Sequence, residues 1–163
     1  MPSRRRAAGV LPVREVDGDP EFFLVHPGGP FFRRRDAGVW SVPKGLLEDG
    51  DVDALAAARR ELAEETGFAA PAGPSVDLGE VRQKGGKVVH AWAVHAPAFD
   101  PEALRSNTFE LEWPPRSGTM ATFPEVDRAG WFDRAAAEVR ILAAQVPFLD
   151  RALARLDPIL GRW

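Results

Sequence analysis

The sequence predicts an α/β domain in which strands and helices pack in layers. Three observations support this prediction: short apolar runs bounded by turn residues, one alanine-rich helical segment near the middle, and two shorter helical segments near the end. The 163 residues are enough for one domain with a buried core, and no internal repeat divides them. We therefore expect a single domain over residues 1–163.

The first part of the chain carries the signals of a β-hairpin. Residues 7–13 and 21–26 are apolar runs of strand length, and the turn cluster 16–20 separates them. Residues 27–38 are rich in Gly, Pro and Arg and predict a loop, and the short apolar run 39–42 ends at a Pro-Lys-Gly sequence. We expect two paired strands, a loop and a short apolar segment.

The clearest helix covers residues 53–66. Asp51 and Asp53 are candidate N-caps, alanines fill the interior, and Gly67 stands where a helix-ending glycine is expected. The apolar positions that recur at helical spacing and should face the core are Leu55, Ala58 and Leu62.

The second half of the chain predicts another hairpin and a helical end. Residues 76–83 and 87–95 have strand character and flank a Lys-Gly-Gly-Lys turn. Residues 96–126 contain several prolines and little periodicity, so we expect one long connection that helps to shape a binding site. The elements expected after it are a strand over 129–132, a helix from Asp133 to about Ala144, and a short helix from Pro147 to about Leu156.

Charge and composition exclude several functional classes. The 21 basic and 24 acidic side chains nearly cancel, which gives no general attraction to nucleic acid or to an anionic membrane. The chain has no cysteine, so disulfides, thiolate metal sites and cysteine nucleophiles are excluded. No apolar run is long enough for a signal peptide or a membrane span. We expect a soluble, cytoplasmic protein that binds neither membranes nor long nucleic acids.

Three glutamates share one face at the end of the predicted helix. Glu61, Glu64 and Glu65 stand at positions i, i+3 and i+4, so their carboxylates repel one another at the helix end that least favours negative charge. A hard divalent cation would compensate this charge, and magnesium commonly holds substrate phosphates at such sites. The cluster therefore indicates phosphoryl chemistry, although a solvated acidic face has the same spacing.

The glutamates lie in a segment that resembles a known family motif. Gly45-Leu-Leu-Glu-Asp-Gly-Asp51, followed by Arg60-Glu-Leu-Ala-Glu-Glu-Thr-Gly-Phe68, is similar to the Nudix box. The box has Gly, five residues, Glu, seven residues and then Arg-Glu-aliphatic-any-Glu-Glu-any-Gly-aliphatic. This chain has Asp51 in place of Glu, and eight residues rather than seven before Arg60. The extra residue leaves it open whether Asp51 does more than cap the helix.

The resemblance implies a fold, a cofactor and a set of residue roles. The implied fold is a Nudix-like α/β/α sandwich with a mixed central sheet. Mg2+, with Mn2+ as a substitute, would be held by Glu61, Glu64 and Glu65. Glu61, Glu64, Arg60 and Glu125 form the implied catalytic set, in which Arg60 orients a glutamate and either Glu64 or Glu125 is the base. Exposed glutamates are common, so Glu125 has an ordinary explanation as well.

Basic side chains and the motif glycine are the candidates for substrate binding. Lys44 and Gly45 are the best placed, because they adjoin the acidic motif. Arg82 and Lys84, with Lys87, form a second candidate group, and the run 33–35 forms a third. Surface charge is the simpler interpretation of the last two groups. The histidines lack metal-site spacing and are interpreted as structural: His26, His90 and His95.

These features predict a magnesium-dependent hydrolase of phosphoanhydride bonds in nucleoside diphosphate-linked compounds. Nucleoside triphosphates and their deoxy forms are the first expected substrates, and dinucleoside polyphosphates of the Ap4A type are the alternative. A non-catalytic nucleotide-sensing module remains a competing interpretation, and so does an RNA-end processor, which the near-neutral composition disfavours. The partner is expected to be a small nucleotide or other diphosphate, and a homodimer is left open.

Overall fold

A mixed sheet of six strands forms the centre of the structure, a computed structural model that describes residues 5–162. The strands of this sheet are β1 (Arg6–Val16), β2 (Asp19–Pro27), β3 (Lys44–Leu46), β4 (Val76–Arg82), β5 (Val88–His95) and β8 (Val126–Phe132). Their order is β4-β5-β1-β2-β8, with β3 paired to β1. β1 runs parallel to β5 and antiparallel to β2, so the sheet is mixed.

Helices cover both faces of this sheet. They are α1 (Ala54–Thr66), α2 (Arg134–Arg140), α3 (Val146–Leu153) and α4 (Leu156–Leu160). On one face, Ala58 and Leu62 of α1 pack in a buried cluster with Val10 of β1. On the other face, Leu11 of β1 packs in a second buried cluster with Phe148 of α3. The alternation of side chains along β1 thus builds two cores, and the expected α/β/α sandwich with a mixed sheet is confirmed.

The predicted helix is confirmed, and its ends explain its length. The side chain of Asp53 accepts a hydrogen bond from the backbone N–H of Ala56 at 2.8 Å, so Asp53 is the N-cap. Gly67 has φ 80° and donates its N–H to the carbonyl of Ala63, which ends the helix in a left-handed residue. Asp51, the other candidate cap, makes different contacts, described below.

Both predicted hairpins are present. β1 and β2 are longer than expected and meet at Asp17-Gly18, where both residues have positive φ, as a tight hairpin turn requires. β4 and β5 pair around a single helical turn, Lys84–Gly86. The last strand is also confirmed, although it begins at Val126 rather than at residue 129.

The prediction of one long connection over residues 96–126 is wrong. A separate two-stranded sheet forms within it, from β6 (Thr108–Glu112) and β7 (Met120–Pro124). Phe109 lies opposite Phe123 across this pair, so the apolar residues alternate on one side of each strand. Because this alternation is short and flanked by prolines, the sequence alone did not predict the two strands.

The predicted helix from Asp133 to about Ala144 is wrong at its end. α2 stops at Arg140, because Ile141 is extended and bridges Trp40 of the apolar segment 39–42. The backbone of Trp40 exchanges hydrogen bonds with the carbonyl of Arg140 at 2.9 Å and the N–H of Leu142 at 2.8 Å. This contact between distant parts of the chain competes with helix continuation. α3 then begins at Val146.

No helix within the described part of the chain has the length and apolar character needed to cross a bilayer.

Candidate active site

Helix α1 holds its acidic residues against strand β3. Only 7% of Glu61 is exposed. Gly45 of β3 lies directly against the Glu61 carboxylate, and a Cβ atom at position 45 would overlap that group. With the Glu61 carboxylate in this position, only a residue without a Cβ atom fits at position 45.

Arg60 is the centre of the charged network. Its Nε and Nη2 donate to the two carboxylate oxygens of Asp51, each at 3.0 Å, and its Nη1 donates to Glu61 at 2.6 Å and Glu64 at 3.1 Å. Glu48 lies 3.0 Å from the same Nη1. The bidentate contact lowers the pKa of Asp51 and raises the pKa of Arg60. Arg60 thereby ties the loop before α1 to two glutamates of the helix.

The extra residue in the loop is accommodated by Val52. Counting back from Arg60 puts Val52 at the acidic position of the motif, yet Val52 is 90% exposed and turned to solvent. Asp51 occupies the place beside Arg60 instead. Its side chain also accepts the backbone N–H of Glu48 at 2.7 Å, which closes the loop into a turn. Asp51 therefore acts on Arg60 and is not the helix cap.

Glu65 is the most perturbed carboxylate of the site. Burial raises the pKa of Glu65 to about 7, against the charge of Lys44 and a hydrogen bond from the Lys44 backbone N–H at 3.1 Å. Burial also raises the pKa of Glu61, and the contact with Arg60 opposes this change. The negative charge of Glu125 contributes to both increases. Negative charge at this site is therefore only partly compensated by the protein itself.

A cavity of about 320 Å³ opens beside Glu65. Its polar and charged walls come from Arg35, Ser41, Lys44, Glu65 and Glu125, and its apolar walls include Val25, Phe32, Val39 and Leu142. The backbone of Glu125 is fixed between β7 and β8, since its N–H donates to the carbonyl of Asn107 at 2.8 Å and its carbonyl accepts from Gly28 at 2.9 Å. The cavity thus combines carboxylates and cations with an apolar floor, as small-molecule sites do.

The predicted acidic residues share this region, but their carboxylates do not converge on one point. Glu61 and Glu64 are turned toward Arg60, while Glu65 is turned toward the Lys44 backbone. Within residues 5–162, no three acidic or histidine side chains form a ready-made cation site. The donor set still suits a hard cation, because it consists of carboxylate oxygen atoms whose charge the protein compensates only in part.

The predicted basic residues are divided between several locations. Lys44 lines the cavity beside Glu65, and Gly45 contacts Glu61 instead. Lys84 borders a neighbouring cavity of about 390 Å³ that shares Arg35 with the first one. Arg82 is exposed on β4 and lines neither of these two cavities.

Lys87, a member of the second candidate group, lies near Lys44 and Glu65, which the sequence did not predict. The nearby charge of Lys44 lowers the pKa of Lys87, burial and Arg5 lower it further, and Glu65 opposes these effects. Lys87 directly precedes β5, and β5 pairs in parallel with β1, so the two strands start side by side. β1 also pairs with β3, which contains Lys44. The parallel pairing that joins the two lysines leaves no local signal in the sequence.

Two of the three histidines make the structural contacts expected of them. His26 is fully buried, with Nδ1 2.7 Å from Oδ1 of Asp127 and Nε2 2.6 Å from the carbonyl oxygen of Arg35. This contact fixes the loop that carries Arg35 into the cavity wall. His90 lies 2.7 Å from Asp77 and is stacked on the ring of Trp92.

Comparison with known proteins identifies relatives over most of the chain. The model of the NUDIX domain matches residues 3–156. An uncharacterized 17.7 kDa protein of Enterobacteria phage T4, from the e-segB intergenic region, is 32% identical over 123 residues, which cover 74% of this chain and 77% of the phage protein.

Solved structures show the same fold at lower identity. An Ap4A hydrolase of C. elegans, in a binary complex, matches with a TM-score of 0.64 and 21% identity over 93% of this chain and 96% of that one. The NUDIX domain of Shewanella oneidensis NrtR, crystallised with ADP ribose, matches with a TM-score of 0.62 and 16% identity over 93% and 87% of the two chains.

Proposed function

The chain belongs to the Nudix family of pyrophosphohydrolases, and from that premise we propose that it cleaves a phosphoanhydride bond in nucleoside diphosphate-linked compounds with the help of Mg2+. The observation that carries this proposal is the position of the partly buried carboxylate of Glu65. It lies on the wall of the cavity next to Lys44, and Arg60 holds Glu61 and Glu64 on the same helix. Carboxylates and a lysine around one cavity suit a ligand that consists of a cation and a phosphate.

Glu61 and Glu65 would hold the divalent cation, together with Glu64 or Glu125. Their burial supports this role, since a buried carboxylate gains most from a neighbouring cation. Mn2+ would be bound by the same oxygen ligands. When bound, the cation would neutralise phosphate charge and make a coordinated water more acidic.

Side chains in the cavity wall and beside it would bind the phosphates, orient the ligands and accept the proton. Lys44 and Lys87 would bind phosphate oxygens, and Arg60 would keep Glu61 and Glu64 oriented. The oxygen of a water molecule forms a bond to phosphorus, the bridging P–O bond breaks, and a phosphate or nucleoside phosphate leaves. The proton of the water passes to a carboxylate, for which Glu64 and Glu125 are the two candidates.

Nucleoside triphosphates and their deoxy forms are the first substrates to test, because each joins a nucleoside to a chain of phosphoanhydride bonds. Dinucleoside polyphosphates are the second group, favoured by a further cavity that adjoins the first one and is described below. We propose a small-molecule partner and a cytoplasmic location, with no role for long nucleic acids.

The proposal is tested by a panel of nucleoside triphosphates, dinucleoside polyphosphates, nucleotide sugars and ADP-ribose, with Mg2+ and then with Mn2+. Chromatography of the products identifies the bond that is cleaved, and water enriched in heavy oxygen identifies the phosphorus that is attacked. Metal-dependent release of a nucleoside phosphate is the expected result. A protein that binds these compounds with Mg2+ and turns over none of them would be a sensing module instead.

A further inference from the structure

A second cavity of about 430 Å³ adjoins the first one and has a different chemical character. The two cavities share Arg35, which lines both of them. The residues that line the second cavity are Arg33, Arg34, Arg35, Asp36, Trp40, Arg128, Ala129, Phe132 and Arg140. We call it the arginine cavity.

The arginine cavity has a strong excess of positive charge. Its lining contains five arginines and a single carboxylate, that of Asp36. Asp36 already accepts a hydrogen bond from Nε1 of Trp40 at 2.9 Å and lies 3.8 Å from Arg140 and 4.0 Å from Arg128. No carboxylate within the described residues lies within 4.0 Å of the guanidinium groups of Arg33 or Arg34. Asp127, outside the lining, also lies 4.0 Å from Arg128. Two nearby carboxylates against five arginines still leave most of this charge available to a ligand.

Aromatic rings hold part of this charge in place. The guanidinium group of Arg128 lies over the ring of Trp40 at 5.4 Å, and that of Arg140 lies over the ring of Phe132 at 4.6 Å. The two rings pack edge to face at 5.0 Å, and Trp40 is 3% exposed. Side chains supported in this way lose less freedom when they bind an anion than free arginines do.

The connection between the two cavities is also fixed. The buried ring of His26 lies 2.6 Å from the carbonyl oxygen of Arg35 and 2.7 Å from Asp127, which joins the arginine loop to β2 and β8. Arg35, which lines both cavities, is thus anchored through its backbone. A chain of phosphates that starts at Lys44 in the first cavity would meet Arg35 next.

We propose that the arginine cavity is a second phosphate-binding site, which takes the phosphoryl groups of the substrate that are remote from the bond cleaved. One guanidinium group can donate two parallel hydrogen bonds to the oxygens of a phosphate. Several guanidinium groups in one cavity therefore suit a ligand with more than one phosphate. The inference rests on the proposed function, and it favours dinucleoside polyphosphates over nucleoside triphosphates. Inorganic polyphosphate has the same chemistry and is the second source of such a ligand.

The direct test is the binding of inorganic tripolyphosphate without metal, measured by calorimetry. The variant is the double substitution Arg33→Gln and Arg34→Gln. Both side chains are exposed, so their replacement should leave the folded core unchanged. The matched control is Arg116→Gln with Arg155→Gln, which removes the same charge from exposed positions outside the cavity. We expect about a tenfold loss of affinity in the variant and little change in the control.

The kinetic test compares a substrate with four phosphates, diadenosine tetraphosphate, with one that has two, ADP-ribose. The ratio of their kcat/KM values should fall about tenfold in the Arg33/Arg34 variant and stay constant in the control. Equal loss of tripolyphosphate binding in variant and control, or an unchanged ratio in an active variant, would overturn the site. If the wild-type protein cleaved neither compound, the calorimetry alone would decide the binding site, and the proposed function would fail only if no compound of the whole panel were cleaved.

Discussion

The guanidinium group of Arg60 and the carboxylate of Asp51 meet in a two-pronged contact, 3.0 Å at each prong, across a loop that is one residue longer than the family motif. In the longer loop Val52 is exposed to solvent, and Asp51 rather than the residue at the motif position contacts Arg60. Arg60 in turn holds Glu61 and Glu64. Asp51 is therefore a positioning residue, which acts on the glutamates through Arg60.

Substitution Asp51→Asn tests this relay. The amide keeps the shape of the side chain but replaces one charged acceptor of Arg60 by a donor, so Arg60 should shift toward Glu61 and Glu64. We expect the apparent affinity for Mg2+ to fall by about 10- to 100-fold, as is usual when a group that orients metal ligands is changed. Metal titration of turnover measures this, with Asp49→Asn, an exposed neighbour, as the control. Equal metal affinity in both variants would show that Asp51 positions nothing.

The two candidates for the general base can be separated by Glu64→Gln and Glu125→Gln. Loss of the base should lower kcat by orders of magnitude even at saturating metal, whereas loss of a metal ligand should be offset in part by more metal. Circular dichroism checks that the fold is retained, since both side chains are partly or largely exposed. If both variants turned over at the wild-type rate, the chemistry would have to lie at another site.

Gly45 gives a prediction about packing. A methyl group at this position would overlap the Glu61 carboxylate, so Gly45→Ala should displace either β3 or Glu61. We expect a destabilisation of about 1–3 kcal/mol, as in overpacked cores, and a loss of turnover of at least about 100-fold. Thermal unfolding and kinetics measure the two effects. Gly50→Ala is the matched control, because no atom lies within 4 Å of the added group. A fully active Gly45→Ala protein would contradict the close approach.

The sequence alone was sufficient to predict those structural features that depend on residues close together in the chain. The caps Asp53 and Gly67 and the helical spacing of the glutamates are local features, so helix α1 and the grouping of Glu61, Glu64 and Glu65 could be predicted. Asp51 was found by its motif position, but its contact with Arg60 depends on how the longer loop folds.

Features that depend on distant contacts could not be predicted in this way. Lys87 reaches Lys44 only through the parallel pairing of β1 and β5, and α2 ends at Arg140 only because Ile141 pairs with Trp40. The arginines at 33–35 were interpreted as surface charge because Arg128 and Arg140, which complete the cavity, lie about a hundred residues further along the chain. Tertiary contacts of this kind override local propensity.

The raised pKa of Glu65 predicts how stability depends on pH when no metal is bound. Because the pKa is about 7 in the folded protein and lower in the unfolded chain, the folded state holds the extra proton between about pH 4.5 and 7. Raising the pH through this window should therefore destabilise the wild-type protein, by an amount on the order of 3 kcal/mol. Glu65→Gln should remove this effect, and added Mg2+ should weaken it in the wild type, since a cation favours the ionised carboxylate.

Thermal unfolding at pH 5 and pH 8 with a chelator, and then with Mg2+, measures this difference in stability. The control is Glu110→Gln, an exposed carboxylate on β6, which should follow the wild type. A Glu65→Gln protein that loses as much stability as the wild type between these pH values would show that folding does not raise the pKa of Glu65.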